Sequence, residues 1–402
     1  MQASFSVRAL MLPLALVSMG GVFPEKAEAA AWYRGDLHNH SVHSDGDGTV
    51  REIITAAEQR GLDFLAITDH DGSMSGIIST WTDPDFNSTR TELLYGAEWT
   101  TGQGHANVWS DQPYDYTPLW EANRANDVTR AIDAAHEQDV LFSINHPEAY
   151  GCCPWKYDSL ENVDAIEVWN STFRLPSFND LAVDNLWDGL LLTGFAPTAV
   201  GGSDTHYWHG KALDYKSAGN PTTWVYADDP TPESILRGIS AGNVTISYSP
   251  DAPRLELLAD PGKDGTYDVI MGESMPAQLT TKFLARLVNP DGTAPSCAKS
   301  AQKVPVSKVI NGFQEPLPPS VVANALQKGV GAAEGQLLVI VKDGKVLDSV
   351  LLGCATGSYE FQDVPSPGSY YRLELVGVTG MTRAQSFAYG YTLSVSNPIF
   401  AW

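Results

Sequence analysis

Positive charge is what this chain has least of: 25 Lys plus Arg stand against 48 Asp plus Glu, a formal net charge of -23 over 402 residues. A surface so acidic repels phosphate backbones and anionic headgroups, which argues against nucleic acid or an anionic membrane as a general partner. An anionic substrate would have its charge met locally, and metal ions are the obvious means. Long apolar runs are also scarce. Past the N-terminal segment nothing approaches the roughly 20 continuous apolar residues of a membrane span, so the mature chain is expected to be soluble. Cysteine is limited to positions 152, 153, 297 and 354. None lies near the N-terminal segment, which argues against a lipid anchor. Adjacent Cys152 and Cys153 lack the spacing of a zinc-binding pair. Histidine is missing from the C-terminal part, the last of nine being His209, so no chemistry is assigned to residues 251–402.

What is present begins with an export signal. Arg8 supplies a positive start, ALMLPLALVSMGGVF an apolar core and AEAAA a small-residue cleavage region, the grammar of a secretory signal peptide. Residues 1–30 are therefore set aside, with cleavage expected near Ala29 to Ala31 and a secreted or periplasmic product. Disulfides persist in such compartments. Cys297 with Cys354, and Cys152 with Cys153 as a strained vicinal pair, are pairings the positions allow; free thiols and cross-pairing stay open. The remaining residues, about 370, suggest two domains.

The stretch GDLHNHSVHSDGDG, residues 35–48, carries the strongest chemical signal. Strand side chains alternate faces, so His38 and His40 project from one side, at a spacing that suits a metal ion. Asp45 follows where Gly46 and Gly48 let the chain turn back. TVRE at 49–52 matches a capping box and opens a helix with Val50, Ile53, Ile54 and Ala57 on one face. DFLAIT then reads as a buried strand ending at Asp69, His70 and Asp71. LLYGAEW ends near Glu98, HANVW begins at His105, VLFSI runs into Asn145 and His146, AIEVW carries Glu167 toward Asn170, and TAVGGS delivers Asp204 and His206. FNDLAVDNLWDGLLL reads as a helix stopped by Gly194; TTWVYA and PESILRGISAG complete about seven βα units ending near residue 250. Reactive groups collect at the carboxyl ends of strands in such folds. From 251 to 402, short alternating runs such as KFLARLV and QLLVIVK, broken by Gly, Pro, Asp and Asn, suggest an antiparallel sandwich.

Six of the nine histidines fall at or just after predicted strands, with Asp45, Asp69, Glu98 and Asp204 beside them. His136 sits in a predicted helix and reads as a surface or packing residue. His43 and His209 are open to acid or substrate-contact roles, though a structural role is favoured. Trp99, Trp109, Trp155, Trp169 and Trp208 lie close to strand ends and suit an aromatic pocket or the core equally well.

DLHNHSVHSDG, AITDHD, the glutamate of GAEWT, the NHP step and GGSDTH, taken in order over roughly residues 32–250, resemble the motifs of the polymerase and histidinol phosphatase (PHP) family. IEVWN, LWDGLL and PTTWVYA further resemble a secreted branch that includes carbaryl-hydrolase-type enzymes. The resemblance implies a distorted seven-stranded βα barrel at 31–250, with two or three divalent ions (Zn, Mn or Fe); the β-rich domain at 251–402 lies outside it and rests on composition. It implies that His38, His40, Glu98 and Asp204 hold one metal, with Glu98 bridging to a second completed by His146 and His105. His70, His206 and Asp45 would hold a third. Asp69 would orient a neighbouring histidine. Glu98, Asp204 and His206 are the residues expected to carry catalysis, Arg174, Lys211 and Asn170 the candidates for substrate contact, with packing an equal alternative for Asn170 and Glu167.

The expected activity is metal-dependent phosphoester hydrolysis by a metal-bridged hydroxide, without a covalent intermediate. Hydrolysis of a carbamate, aryl ester or amide on the same site is the alternative. A secreted binding protein with an inactive barrel is a third, non-enzymatic reading.

Overall fold

The computed structural model describes residues 30–71, 78–149, 152–158, 160–170, 182–209, 218–293, 302–303, 336–352, 357–377 and 391–402. In chain order its first part runs β1 (Ala31–Asp36), α1 (Val50–Gln59), β2 (Phe64–Ile67), β3 (Glu92–Thr101), β4 (Gly104–Ser110), α2 (Thr117–Ala125), α3 (Val128–His136), β5 (Leu141–Ile144), β6 (Ala165–Asn170), α4 (Asp188–Thr193), β7 (Thr198–Gly202), β8 (Thr222–Ala227), α5 (Pro232–Ser240) and β9 (Val244–Ser247). The fold is mixed α/β.

Local chemistry accounts for much of this. Thr49 caps α1 as a reciprocal box: its side chain accepts from the Glu52 amide, and the Glu52 carboxylate accepts from the Thr49 amide at 2.8 Å. Val50, Ile53, Ile54 and Ala57 turn inward, as their spacing predicts. Of the segment read as a helix stopped by Gly194, the described part is a π-helical turn over Ala182–Trp187 continuing into α4, and Gly194 ends it with φ of 86°.

Strands β1 to β7 are neighbours in chain order. β1–β2, β2–β3, β5–β6 and β6–β7 are parallel. β3–β4 and β4–β5 are antiparallel, so the strict βα alternation expected from sequence is interrupted. The reason is length: only Gly102 and Gln103 separate β3 from β4, which permits a hairpin and no crossover helix. Just past the strand ends, the two extremes of this run meet. Asp204 donates its amide to the His38 carbonyl at 2.8 Å, His40 donates to the Thr205 carbonyl at 3.1 Å, and Asn39 and Thr205 form a parallel bridge.

The second part comprises β10 (Arg254–Asp260), β11 (Val269–Ile270), β12 (Ser274–Met275), β13 (Thr281–Val288), β14 (Gln302–Lys303), β15 (Gln336–Lys342), β16 (Lys345–Leu352), β17 (Ser358–Asp363), β18 (Tyr370–Gly377), β19 (Tyr391–Ser396) and β20 (Ile399–Ala401). β11, β10, β13 and β17 form a separate four-stranded antiparallel sheet. Its Leu255, Leu257, Phe283 and Phe361 share one apolar core with Leu338, Ile340, Tyr371 and Leu373. Those partners belong to the large sheet, which continues from β8 and β9 into β19 through an antiparallel ladder. The two parts of the chain are thus hydrogen-bonded as one sheet. Arg372 in β18 also reaches Asp188 at the start of α4 with a two-pronged contact, at 2.8 and 2.6 Å. Among the described residues no helix is long and apolar enough to cross a membrane.

Candidate metal centre

The strand ends gather six imidazoles and three carboxylates. His38 and His40 follow β1, His70 follows β2, Glu98 lies in β3, His105 in β4, His146 follows β5, and Asp204 and His206 follow β7. His38, His40, Glu98 and Asp204 are wholly or almost wholly buried.

A first group centres on Asp204 Oδ1. It lies 3.4 Å from His38 Nε2 and 3.1 Å from His40 Nε2, and the two nitrogens are 3.2 Å apart. Glu98 closes the group, with Oε1 3.4 Å from His38 Nε2 and Oε2 3.6 Å from His40 Nε2. Donors at the usual 2.0–2.2 Å from a tetrahedral ion stand about 3.4 Å from one another. The observed separations are those of ligands around a common centre. Glu98 Oε1 also lies 3.2 Å from His105 Nδ1 and 3.5 Å from His146 Nε2, a second grouping that shares the carboxylate. Asp45 gathers a third: Oδ1 is 3.3 Å from His206 Nε2 and Oδ2 3.6 Å from His70 Nε2, with His40 Nδ1 at 3.7 Å. His38 with His40 and Asp204 could hold an ion, as could His40 with Asp45, His70 and His206, and Glu98 either with His38 and His146 or with His70 and His105.

Unsatisfied donors and acceptors point the same way. Glu98 Oε2, His40 Nδ1 and His105 Nδ1 are buried without a hydrogen-bond partner. Glu98 Oε2 forms an ion pair with His70 Nδ1 at 2.6 Å, and His70 Nδ1 is shared with Thr100 Oγ1 at 2.7 Å. Orphaned polar atoms are costly in a dry interior unless something else binds them. Electrostatics agree. Burial works to raise Glu98 and Asp204, yet the facing histidines hold both below the ordinary carboxylate range. Burial resists charge on His38, but Asp204, Glu167 and Glu98 outweigh it and raise its pKa well above the usual imidazole value. Burial opposes charge on His70 too, and Glu98 again overcomes it, carrying the imidazole up to about 9. His40 goes the other way, to about 4, because burial and the neighbouring imidazoles outweigh its bond to Asp204. Buried carboxylates that stay ionised require positive charge beside them, and divalent ions in place of imidazole protons supply it. The residues fit the group.

A supporting layer holds the donors in place. Glu167 Oε1 pairs with His38 Nδ1 at 2.9 Å, its Oε2 accepts from the His146 amide at 2.9 Å, and Asn170 Nδ2 donates to Glu167 Oε2 and to Asp204 Oδ2 at 2.8 and 3.2 Å. A carboxylate on the far nitrogen of a ligating imidazole fixes its tautomer and raises its basicity. Asn145 donates to Glu98 Oε1 at 2.7 Å. His146 and Asp204 adopt φ of 28° and 50°, unusual for non-glycine residues, and their amides are tied to Glu167 and the His38 carbonyl. Gly202 cannot be larger: a Cβ there would stand 2.4 Å from His38 Cβ.

Nine residues expected as ligands, His38, His40, Asp45, His70, Glu98, His105, His146, Asp204 and His206, converge. Arg174 and Lys211 lie outside the described residues, as do Cys297 and Cys354. Asn170 is buried against Glu167 and Asp204. Asp69 corrects one expectation: it orients no histidine, but accepts from Ser41 N, Ser41 Oγ and Ser44 Oγ at 2.6–2.7 Å and from Thr80, pinning the loop that carries Asp45. His43 pairs with Asp83, His209 with Glu52 and His136 with Asp164. Trp99, Trp109 and Trp169 are core residues. The structural importance of Glu167 had one sequence signal, an acid inside an apolar strand. Nothing local connected it to His38.

The PHP domain family model matches residues 36–144, a span holding His38, His40, Asp45, His70, Glu98 and His105. No curated protein matches the chain. Among solved structures, a two-domain protein from Bacteroides vulgatus, described as containing a predicted PHP-like metal-dependent phosphoesterase, aligns at 15% identity over 91% of this chain and 95% of its own, TM-score 0.45. A protein from Bifidobacterium adolescentis, provisionally described as a metal-dependent phosphoesterase, aligns at 17% over 50% and 95%, TM-score 0.35. An amidohydrolase from Chromobacterium violaceum aligns at 17% over 45% and 92%, TM-score 0.28.

Proposed function

We propose that this protein is an exported metal-dependent phosphoesterase acting on small molecules. One observation carries the reading: His38, His40, Glu98 and Asp204 are buried and hold their donor atoms 3.1–3.6 Å apart, with imidazole nitrogens as the facing groups. His38, His40, Glu98 and Asp204 would hold one ion, Glu98 with His105 and His146 a second, and Asp45, His70 and His206 a third. Bound ions would bring a water toward neutral pKa and offset charge on phosphoryl oxygens.

The chain's own residues do the rest. Glu98 turns Oε1 toward His38, His105 and His146 and Oε2 toward His40 and His70, so its carboxylate links the groups. Glu167 keeps His38 turned with Nε2 inward, and Asn170 holds Asp204 Oδ2 so that Oδ1 faces the histidines. Asp45 is more than half exposed while His40 is buried, so the third group is the one that meets substrate from solvent. His206 Nδ1 is tied to the Asp204 carbonyl at 2.9 Å, which leaves Nε2 turned toward Asp45 and the third group.

The test is elemental analysis of purified protein beside turnover of nitrophenyl phosphate, a phosphodiester, a nitrophenyl acetate and an aryl carbamate, each with and without chelator. Phosphoester turnover lost to chelator and restored by Zn, Mn or Fe is expected. Preference for the carbonyl substrates would replace phosphoester by carbonyl hydrolysis on the same site. Metal binding with no turnover of any substrate would make the chain a binding protein. Export is supported by the pairing of Cys152 with Cys153, a bond that persists in oxidising compartments. A mature N-terminus near Ala31 is expected, and recovery of the chain starting at Met1 would withdraw this part.

A further inference from the structure

The loop after β5 places sulfur against two of the site's histidines. Cys152 and Cys153 are joined as a disulfide. Cys153 Sγ stands 3.9 Å from His146 Nδ1, and the Cys153 sulfur with one nitrogen from each of His105 and His146 lies within 4.8 Å all round. His146 is thus flanked on both ring edges, with Glu98 Oε1 3.5 Å from Nε2 and sulfur beside Nδ1. Among the described residues this is the one metal-competent group that contains cysteine.

We propose that reduction of the Cys152–Cys153 bond creates a His2Cys site, His105, His146 and Cys153, that takes a thiophilic divalent ion. In the disulfide the sulfur has no anionic lone pair to offer, whereas a thiolate is a strong ligand for zinc-like ions. The chemistry is thiol–disulfide exchange. A dithiol reductant gives up two electrons and two protons and closes to its own cyclic disulfide; the Cys152–Cys153 S–S bond breaks and both sulfurs become thiols. Cys153 then loses its proton to solvent as its sulfur binds the ion.

Backbone bonds as well as the S–S bond position the sulfur. The amides of Cys152 and Cys153 both donate to the Ala149 carbonyl at 3.2 and 3.3 Å, and Ala149 donates to the His146 carbonyl at 3.0 Å. Beyond the pair, Trp155 donates to the Pro147 carbonyl at 2.9 Å, and Lys156 to the Gln103 carbonyl at 2.8 Å, beside the β3–β4 turn that leads to His105. None of these backbone bonds passes through the S–S bond, so each can form in either redox state. Because His146 turns Nδ1 to the sulfur and Nε2 to Glu98, the sulfur site adjoins the group that shares Glu98, and the redox state sets whether the pocket holds a thiolate-bound ion.

The experiment is a cobalt titration of full-length, metal-free protein. One sample is oxidised; the other is treated with a dithiol and freed of it without oxygen. The reduced protein is expected to develop thiolate-to-cobalt charge-transfer absorption that saturates as cobalt is added, and the oxidised protein to show cobalt binding without that band. Cys152→Ser, which leaves Cys153 unpaired, should show the band with no reductant, and Cys153→Ser should lack it in both states. A reduced wild-type protein without the band, or a band that survives in Cys153→Ser, overturns the proposal. The site shares His105 and His146 with the hydrolytic centre proposed above, and the titration separates the two ideas: cobalt binding without the charge-transfer band removes only the sulfur site, and a protein that binds no cobalt in either state removes both.

Discussion

Buried Glu98, within β3, makes its ion pairs among the described residues with histidines alone, at 38, 40, 70, 105 and 146. Where the C-terminal strands join the first part, buried carboxylates meet guanidinium instead: Asp188 and Glu374 flank Arg372, and Glu256 pairs with Arg254 at 2.7 Å. The second arrangement is complete as it stands. The first is not, since imidazoles carry compensating charge only when protonated, and its orphaned atoms remain. A permanent cation in the chain makes a buried carboxylate structural, while a cluster of imidazoles leaves it available to an ion from outside.

The sharpest way to break this contrast is Asp204→Ala. It removes the oxygen common to His38, His40 and His206, and turnover should fall to the level of chelator-treated protein with a loss of bound metal by elemental analysis. Normal turnover would take Asp204 out of the site. Arg372→Met strikes the other region. It strands Asp188 and Glu374 without their cation and should cost about 3–5 kcal/mol of stability, measured by urea denaturation, while metal content per folded molecule stays unchanged. A drop of well under 1 kcal/mol would mean the pair is solvated.

Glu167→Gln sharpens the comparison, because it keeps the shape beside His38 and removes the charge. Metal affinity by chelator competition should weaken about 10–100-fold at near-native thermal stability; unchanged affinity would reduce Glu167 to packing. The smallest effect concerns pH. Burial works to raise Asp363, but its bonds to Lys342 and Tyr371 prevail and hold it below its ordinary 3.8. A lowered folded pKa gives stability that is present above 3.8 and lost as pH falls through the folded value. Lys342→Met should shrink that acid-limb loss by about 0.5–1 kcal/mol, read from denaturation midpoints between neutral pH and the acid limb. An identical limb in the variant would mean Lys342 contributes nothing to it.

Much of the site was legible in the residue order alone. His38 and His40 two apart in a strand-like run, DHD after DFLAIT and SDTH after TAVGG are local patterns, and the alternation of strand side chains makes their direction a near-neighbour matter. The TVRE box fixed the start of α1 for the same reason. Asp69 illustrates what such patterns miss: adjacent to His70 in sequence, it spends its oxygens on Ser41, Ser44 and Thr80. The C-terminal runs were recognisable as strands, but nothing in them announced that β19 would extend the sheet of the first part through β9.

The amino-acid sequence by itself determined which donor types are present, their order, and that they stand at strand ends, because each of these follows from the backbone and its nearest neighbours. Only the tertiary structure decided which atoms face one another. The partner of His38 lies 129 residues away in Glu167, and the partner of Asp188 lies 184 residues away in Arg372. Contacts of that separation are set by how the strands pack into a common sheet and core, a property of the whole chain that no segment carries alone.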